Sequence, residues 1–271
     1  MSRDLAILCG DGQLPLLLQN ELPEALCVVF EGMPHQLAEG SFTKAKFEKL
    51  GGLFDVLKDK GIVRILMVGS MSRPSLNIVE FDPFMKSIGP TLAGMMSEGD
   101  DHLLRFVIGL FHAQGFQIVG AIDVLPELVA QPGAIVTGWT DRYLNDLRKA
   151  DKILSVLAEA DVAQAVVVEG GMVLGIETLQ GTDALLDFVQ KTDRKLRNSN
   201  QKGILVKRPK LGQDLRVDIP SIGPKTIEQV AKAGLAGIII SPKAVLLIER
   251  DRLIELAQRL GVFIHALEHD E

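Results

Sequence analysis

The sequence has few of the residues that build disulfide frameworks and histidine-based metal centres. It contains two cysteines and five histidines among 271 residues. Cys9 and Cys27 both lie in apolar runs that are typical of buried strands. Two such thiols cannot form a disulfide framework or a thiolate metal site. The histidines are scattered along the chain, which argues against a zinc centre. We therefore expect a protein of a reducing cytoplasm.

Long apolar runs and an excess of positive charge are also missing. No stretch of about 18 apolar residues occurs, so the sequence predicts no membrane-spanning helix. The N-terminal residues lack the long apolar region of a signal peptide. The formal net charge is −6, which disfavours a polynucleotide partner because phosphate backbones require a basic surface. Peripheral contact with a bilayer stays open.

The residues that are present predict a globular α/β protein. Hydrophobic residues make up 47% and charged residues 24% of the chain, and its length allows two domains with real cores. In the first half, apolar strand-like runs alternate with helical segments, which predicts a doubly wound parallel sheet. The stretch "LVAQPGAIVTGWTD" has no clear period. We place a domain boundary there, near residue 132, with domains at 1–132 and 140–271.

The second half also mixes strand and helix patterns. We predict a long helix at roughly 141–160, and a hairpin that turns at Gly170 and Gly171. Thr182 is a plausible N-cap of the helix in "GTDALLDFVQKTDRKL". "GILVKRPK" and "QDLRVDIP" are predicted strands. Pro224 near the start and Gly234 just past the end frame a further helix.

The first candidate site is "GDGQLP", which follows the first predicted strand. Its small residues Gly10 and Gly12 let the backbone approach a phosphate at a helix start. Glu31 ends the second strand, near the position of the ribose-binding acid in a dinucleotide fold. Pro15 stands in place of the third glycine of that motif, so a tight strand–helix turn is the competing interpretation.

Two further candidates come from the first half of the chain. "MVGSMSRPSL" follows the third strand at the same sheet edge, where Gly69, Ser70 and Arg73 could hold a phosphate or a uracil-like group. Arg73 could equally pin its own loop. Asp100 and Asp101 begin a helix, where acids commonly act as caps; they are also candidate metal ligands.

The most chemically distinctive stretch is "QDLRVDIPSIGPKT". Read as a strand, its period of two places three apolar residues on one face. The other face then carries Asp214, Arg216 and Asp218. Carboxylates suit a divalent cation and a guanidinium suits phosphate oxygens, although a salt-bridged strand face is the alternative.

Charged residues on both sides of this stretch extend the candidate site. The basic run before it contains Lys207, Arg208 and Lys210, which suits phosphate oxygens or, alternatively, a solvated strand edge. Upstream, "ETLQGTDALL" places Glu177, Thr182 and Asp183 around a turn into a helix. The helix start from Gly223 to Thr226, with Lys225, adds backbone donors for an anion.

These residues carry a resemblance to a known family. "DVAQAVVV", "GTDALL" and "GILVKRPKLGQDLRVDIPSIGPKTIEQVAKAGLAGI", with "GDGQLP" and "GSMSRPSL", resemble the magnesium-dependent UDP-2,3-diacylglucosamine pyrophosphatases of lipid A biosynthesis. This type occurs in Gram-negative bacteria that lack the metallophosphoesterase version. The resemblance covers nearly the whole chain. Two departures are Ala163, where the family usually has glycine, and Gln180, where it often has glutamate. We interpret the first as a small packing change.

The resemblance implies a Rossmann-like N-terminal domain and a family-specific α/β C-terminal domain, with the ligand between them. It implies hydrolysis of UDP-2,3-diacylglucosamine to UMP and 2,3-diacylglucosamine 1-phosphate, with Mg²⁺. The family's essential aspartate corresponds to Asp214 or Asp218; we expect both as catalytic residues and metal ligands, with Arg216 on the phosphate. The expected substrate-binding residues are Gly10, Gly12, Gln13, Leu14, Gly69, Ser70, Arg73, Gln164, Thr182, Asp183, Lys207, Gln213, Gly223, Lys225 and Thr226.

Several alternatives stay open at this point. The glycine loop with Glu31 is compatible with a nicotinamide-dependent sugar-nucleotide oxidoreductase, and a non-catalytic nucleotide–lipid binding protein is a further alternative. Which aspartate binds metal is open, as are a homodimer and peripheral contact with the inner membrane. The substrate's acyl chains need an apolar groove, and we expect it among the runs "AVVV", "MVLGI", "LAGIII" and "AVLLI".

Overall fold

The computed structural model describes residues 3–96, 100–197, 200–210 and 212–268, without the side chains of Met96, Asp100 and Asp101. The chain forms two compact units, Met1–Val124 and Leu125–Glu271. In the described part, no helix is long and apolar enough to cross a bilayer.

Unit 1 is built on a parallel sheet. Its strands are β1 (Leu5–Cys9), β2 (Leu26–Phe30), β3 (Thr43–Ala45), β4 (Arg64–Val68) and β5 (Gln117–Val119). Its helices are α1 (Gln13–Glu21), α2 (Leu50–Asp59), α3 (Pro83–Met96), α4 (Asp100–Ala113) and α5 (Ala121–Val124). The strand order is β3-β2-β1-β4-β5, with every pair parallel. This is the order of a doubly wound nucleotide-binding sheet, so the predicted fold class is confirmed.

The last strand of unit 1 is shorter than its sequence predicts. The run "FQIVGAIDVLP" is apolar enough to be read as one strand, but β5 ends at Val119. The Asp123 carboxylate accepts a hydrogen bond from the Gly120 N–H at 2.7 Å. This contact favours the short helix α5 over a longer strand. The Asp123 carboxylate satisfies the Gly120 N–H, which in a strand would pair with the neighbouring strand.

Unit 2 contains a mixed sheet with helices on both faces. Its strands are β6 (Gly133–Val136), β7 (Ala165–Glu169), β8 (Met172–Ile176), β9 (Ile204–Lys207), β10 (Ser221–Ile222), β11 (Gly237–Ile240), β12 (Leu246–Leu247) and β13 (Phe263–Ala266). Its helices are α6 (Leu144–Ala158), α7 (Gly181–Gln190), α8 (Pro224–Lys232) and α9 (Arg250–Leu260). The main sheet has the order β6-β13-β11-β9-β7-β8. The predicted hairpin is confirmed as the antiparallel pair β7–β8.

The division between the units comes before the boundary placed near residue 132. Strand β6 pairs with β13 in antiparallel orientation, and Val129 forms an isolated bridge with Leu246. Both contacts join the segment after Val124 to unit 2. The lack of a clear period in this segment therefore reflects short pairing elements and not a linker.

Most of the apolar runs considered for acyl chains are core. Val166, Val167 and Val168 of β7 are 0% exposed, as are Ile238 to Ile240 of β11 and Val245 to Leu247. Helices α7, α8 and α9 contribute to the apolar cluster on one face of the sheet, while α6 contributes to the cluster on the other. These strands are buried on both faces, so of the four runs only "MVLGI" on β8 exposes large apolar side chains.

The predicted strand "QDLRVDIP" is wrong. Residues 215–217 form a turn, in which the Asp214 carbonyl accepts the N–H groups of Val217 at 3.2 Å and Asp218 at 3.0 Å. The Asp214 carboxylate also accepts the Arg216 N–H at 3.1 Å. Aspartate side chains compete in this way with strand pairing. The alternating acid–base–acid face therefore does not exist, although its residues remain close in the chain.

Candidate active site

The centre of the candidate site is a buried lysine at the end of a strand. Lys207 is the last residue of β9, and its Nζ donates to Thr182 Oγ1 at 2.8 Å. Desolvation lowers the pKa of Lys207, while the negative charges of Glu177, Asp183 and Asp218 act in the opposite direction. A charge at this depth interacts more strongly with its neighbours than a charge in water does, so Lys207 is the candidate partner for an anionic group at this site.

Glu177 and Thr182, on either side of the start of α7, position this lysine through a chain of hydrogen bonds. The Thr182 hydroxyl donates to Glu177 Oε1, and Glu177 Oε2 accepts the Gln164 N–H at 3.0 Å. Thr182 was predicted as the N-cap, but α7 already begins at Gly181 and no side chain caps it. Its hydroxyl instead bonds Glu177 and Lys207, which fixes the position of the ammonium.

Asp218 reaches the same charge cluster from the 213–218 turn. Gln213 Nε2 donates to the Asp218 carbonyl at 2.8 Å and to its carboxylate. Although Asp218 lies at the surface, protein atoms around its carboxyl group raise its pKa by desolvation. The positive charges of Lys210 and Lys207 lower the pKa, and the negative charge of Asp161 raises it. The effect of desolvation on the pKa of Asp218 is larger than that of the nearby cations. A further positive charge would therefore stabilise the ionised carboxylate.

The sequence reasoning missed Asp161. Its carboxylate forms an ion pair with Lys210, and it interacts electrostatically with Asp218. Asp161 and Ala163 adopt positive φ angles of 55° and 66°, which non-glycine residues rarely do. The only sequence signal was the motif "DVAQ" with alanine at a position where the family has glycine. That departure changes backbone strain, so its interpretation as a small packing change is wrong.

We expect Ala163→Gly to raise the melting temperature. Glycine adopts a left-handed conformation without the steric cost that alanine meets at φ 66°, a gain of about 1 kcal/mol. For a chain of this size the expected rise is roughly 2–4 °C. Ala231→Gly in α8 is the matched control and should lower the melting temperature, because glycine inside a helix costs about 1 kcal/mol. Differential scanning calorimetry measures both; an unchanged or lower value for Ala163→Gly would contradict the strain.

Asp214 and Arg216 form a pair within the turn. Arg216 Nε and Nη2 contact the two Asp214 carboxylate oxygens at 2.9 Å and 2.6 Å. The pair is partly exposed, with 44% of the Arg216 side chain accessible to solvent. Arg216 therefore acts within this turn as a clamp on Asp214.

The start of α8 contributes one charged residue to the cluster. Lys225 Nζ contacts Asp183 Oδ2 at 2.5 Å, which links α8 to the first turn of α7. The predicted helix from Pro224 is confirmed. Thr226 Oγ1 accepts the Gly223 N–H at 3.3 Å, so this side chain closes the helix start. The structure thus brings together most of the predicted residues of unit 2.

The residues of this cluster fit a divalent cation in part. Within the described residues, no group of three or more His, Cys, Asp or Glu side chains could hold a metal ion. Asp218 offers a desolvated carboxylate, the oxygen ligand that Mg²⁺ prefers. Both Asp214 oxygens accept hydrogen bonds from Arg216. Asp218 is therefore the better-placed ligand, and a substrate phosphate would have to complete the coordination.

In unit 1, the glycines of the two predicted loops allow the loops to touch. The Asp11 and Ser70 backbones exchange hydrogen bonds at 2.9 Å and 3.0 Å. A Cβ on Gly10 would lie 2.4 Å from the Ser70 carbonyl oxygen, and one on Gly69 would lie 2.7 Å from the Asp11 carbonyl oxygen. Both glycines are therefore required by packing, which supports the interpretation as a tight turn.

Other residues predicted in unit 1 have local partners. Gly12, with φ 109°, precedes α1, and the exposed Gln13 side chain donates to Gln36 Oε1 at 2.5 Å. Leu14 is partly buried in α1. Arg73 lies in the loop after β4. Glu31 lies 3.5 Å from the Lys46 ammonium. The predicted roles of Asp100 and Asp101 fall on side chains outside the described part.

Comparisons with known proteins cover both units. Residues 4–128 match the family model of the LpxI N-terminal domain, and residues 132–265 match that of the LpxI C-terminal domain. The chain is 31% identical over 278 aligned residues to the UDP-2,3-diacylglucosamine pyrophosphatase LpxI of Caulobacter vibrioides. The alignment covers 99% of each chain.

Proposed function

The chain belongs to the LpxI family, and from this premise we propose that it hydrolyses the pyrophosphate of UDP-2,3-diacylglucosamine. Water attacks one phosphorus, the bond from that phosphorus to the bridging oxygen breaks, and UMP and 2,3-diacylglucosamine 1-phosphate leave. The protein is thus a hydrolase of lipid A biosynthesis. Family membership decides against the alternatives of a nicotinamide-dependent oxidoreductase and a non-catalytic binding protein.

The observation that carries this proposal beyond the family is the Lys207 cluster. A buried ammonium at a strand end, fixed by Thr182 Oγ1 at 2.8 Å, is a preorganised partner for the non-bridging oxygens of a phosphate. Such a group stabilises charge that develops as the bond breaks, because it needs no reorganisation at that moment. Lys225 at Asp183 adds a second cation that the substrate could recruit.

Asp218 suits the acid–base part of the reaction. Water that attacks phosphorus must lose a proton, and a carboxylate with a raised pKa accepts it more readily than an ordinary aspartate. Desolvation supplies that increase here. Gln213 holds the carboxylate through its Nε2, so the acceptor is oriented before substrate arrives. Asp214 orders the turn that carries Asp218.

We propose Mg²⁺ as the cofactor, with Asp218 and, when Arg216 turns to the substrate, Asp214 as its candidate ligands; the carboxylate that holds the metal does not also take the proton from the attacking water. When bound, Mg²⁺ supplies positive charge to the pyrophosphate oxygens. Family resemblance and the desolvated Asp218 carboxylate support this proposal. Contact with the inner membrane and a homodimer remain predictions.

Product analysis tests this function. Purified protein with UDP-2,3-diacylglucosamine and Mg²⁺ should release equimolar UMP and 2,3-diacylglucosamine 1-phosphate, identified by mass spectrometry. EDTA should stop the release and added Mg²⁺ should restore it. Release of UDP, or turnover only with a nicotinamide cofactor, would contradict the proposal. Full turnover in EDTA would contradict the proposal of Mg²⁺ as cofactor and leave the proposed hydrolysis intact.

A further inference from the structure

A buried ion pair lies next to Lys207 in the chain and contacts a different helix. Arg208 directly follows β9, and its Nε and Nη2 donate to Asp151 Oδ1 and Oδ2 on α6 at 2.6 Å and 3.3 Å. Arg208 is 5% and Asp151 8% exposed. A buried ion pair is often no more stabilising than apolar side chains of similar volume, because both charges must leave water. Fold stability alone therefore does not account for this pair.

The other contacts of Arg208 join it to the ends of neighbouring strands. Its Nη1 donates to Ser241 Oγ at 3.1 Å and to the Leu267 carbonyl at 2.9 Å, just after β11 and β13. Its backbone N–H donates to the Gln164 carbonyl at 2.8 Å, just before β7. Each guanidinium nitrogen thus has a protein partner. Arg208 therefore fixes the point where the chain leaves the sheet, and it does not face a phosphate as the basic run suggested.

The loop that leaves the sheet at Arg208 is connected to Asp218 through the Gln213 side chain. Pro209 follows Arg208 directly and restricts the backbone. The Lys210 N–H donates to Gln213 Oε1 at 2.8 Å. Gln213 Nε2 donates in turn to the Asp218 carbonyl at 2.8 Å and to its carboxylate. A shift of the backbone at Arg208 would therefore also move the Asp218 carboxylate.

We propose that Arg208 is a positioning residue, whose contacts with Asp151, Ser241 and Leu267 place the loop that carries Asp218. This inference rests on the proposed function, in which the Asp218 carboxylate takes part in the reaction. A displacement of about 1 Å at a reacting group can cost about 100-fold in rate. A guanidinium suits this role because its N–H groups have fixed directions, whereas lysine offers a flexible ammonium.

Arg208→Lys tests the proposal, because it keeps the charge and removes the planar set of N–H groups. We expect kcat for UDP-2,3-diacylglucosamine to fall about 10- to 100-fold with little change in KM, since the carboxylate is displaced and the substrate contacts remain. Rates are compared at equal amounts of folded protein, so that a loss of stability alone does not lower kcat.

Arg197→Lys is the matched control at the other end of β9. Arg197 Nε donates to Glu169 Oε1 at 3.0 Å, and its Nη1 donates to the Ala233 carbonyl at 2.5 Å. Glu169 also accepts the N–H of Gly203, the residue before β9, at 3.0 Å. This second buried pair has the same chemistry and no contact with the loop that carries Asp218. Arg197→Lys should lower the melting temperature and keep a normal kcat.

A double-mutant cycle separates positioning from a direct contact with the substrate. If Arg208 acts through Asp218, Arg208→Lys should lower kcat less than about 3-fold in a chain that already carries Asp218→Asn, because coupled residues are not additive. Ser241→Ala removes one Arg208 contact and no charge. It should lower kcat by a smaller factor with the same coupling to Asp218→Asn, and it provides the test if Arg208→Lys does not fold.

Three outcomes would overturn the inference while leaving the hydrolase function intact. The first is a normal kcat in both Arg208→Lys and Ser241→Ala, or in Ser241→Ala alone if Arg208→Lys does not fold. The second is an equal loss of kcat in Arg197→Lys, which would indicate general damage to the fold. The third is an undiminished loss in the Asp218→Asn background. If the unaltered protein failed to cleave UDP-2,3-diacylglucosamine, the proposed function itself would be wrong.

Discussion

Asp214→Asn and Asp218→Asn should each lower kcat about 100- to 1,000-fold, with little change in substrate affinity. Losing a carboxylate that orients water or holds Mg²⁺ removes stabilisation made mainly in the transition state. For Asp218 the loss is direct, since its carboxylate lies in the Lys207 cluster. For Asp214 it includes the turn, because its carboxylate accepts the backbone N–H and the guanidinium N–H groups of Arg216. Steady-state kinetics at several Mg²⁺ concentrations measures both.

Thermal stability separates catalytic from structural roles in these variants. Desolvation raises the pKa of folded Asp218, so the native state holds the proton more tightly than the unfolded chain. The free energy of unfolding therefore falls as the pH rises from the ordinary aspartate pKa through the raised pKa of folded Asp218. Asp218→Asn lacks this loss and should melt no lower than the unaltered protein at neutral pH. A lower melting temperature with normal kcat would contradict the assignment. Asp187→Asn on α7 is the exposed control and should keep normal kcat.

Lys207→Met should lower kcat/KM about 100- to 1,000-fold, which is the cost of losing one preorganised electrostatic contact. It should also change the pH profile. The Lys207 charge lowers the pKa of Asp218, so its removal should move the acidic limb of the kcat/KM profile to higher pH. A residue with a purely structural role would reduce the amount of folded protein without moving that limb.

Lys191→Met provides the matched control for this prediction. Lys191 is 75% exposed and pairs with Asp187 on the surface, where ion pairs contribute little. It should leave kcat/KM and the pH profile unchanged. Lys207→Met with a normal kcat/KM would exclude the buried ammonium from the chemistry. A large loss with an unmoved acidic limb would separate Lys207 from Asp218.

The parts of the fold that follow local periodicity could be predicted from the sequence. The alternation of strands and helices in unit 1 predicted the parallel sheet, and Gly170 with Gly171 predicted the β7–β8 hairpin. The pattern in "QDLRVDIP" failed for a physical reason. Its period of two is compatible with a strand, but the Asp214 carboxylate and carbonyl accept hydrogen bonds from the following N–H groups, which close a turn. Periodicity does not register that competition.

Residue types in the site were predicted better than their contacts. Lys207, Asp183 and Asp218 were expected on chemical grounds, and they form one charge cluster. Asp161 could not be found in this way, because its proximity to Asp218 depends on a left-handed loop with φ 55°. The presence of an aspartate in the sequence does not predict a positive φ angle. Likewise, α7 starts two residues earlier than an N-cap at Thr182 would give, and the Thr182 hydroxyl contacts Lys207 instead of capping the helix.

The most direct test of the central claim is the rate of UMP release from UDP-2,3-diacylglucosamine by the unaltered protein and by Lys207→Met, at equal amounts of folded protein. We predict release of UMP with an equal amount of 2,3-diacylglucosamine 1-phosphate by the first, and about 1% of that rate or less by the second. Equal rates for the two proteins would contradict the claim that pyrophosphate cleavage takes place at the Lys207 cluster.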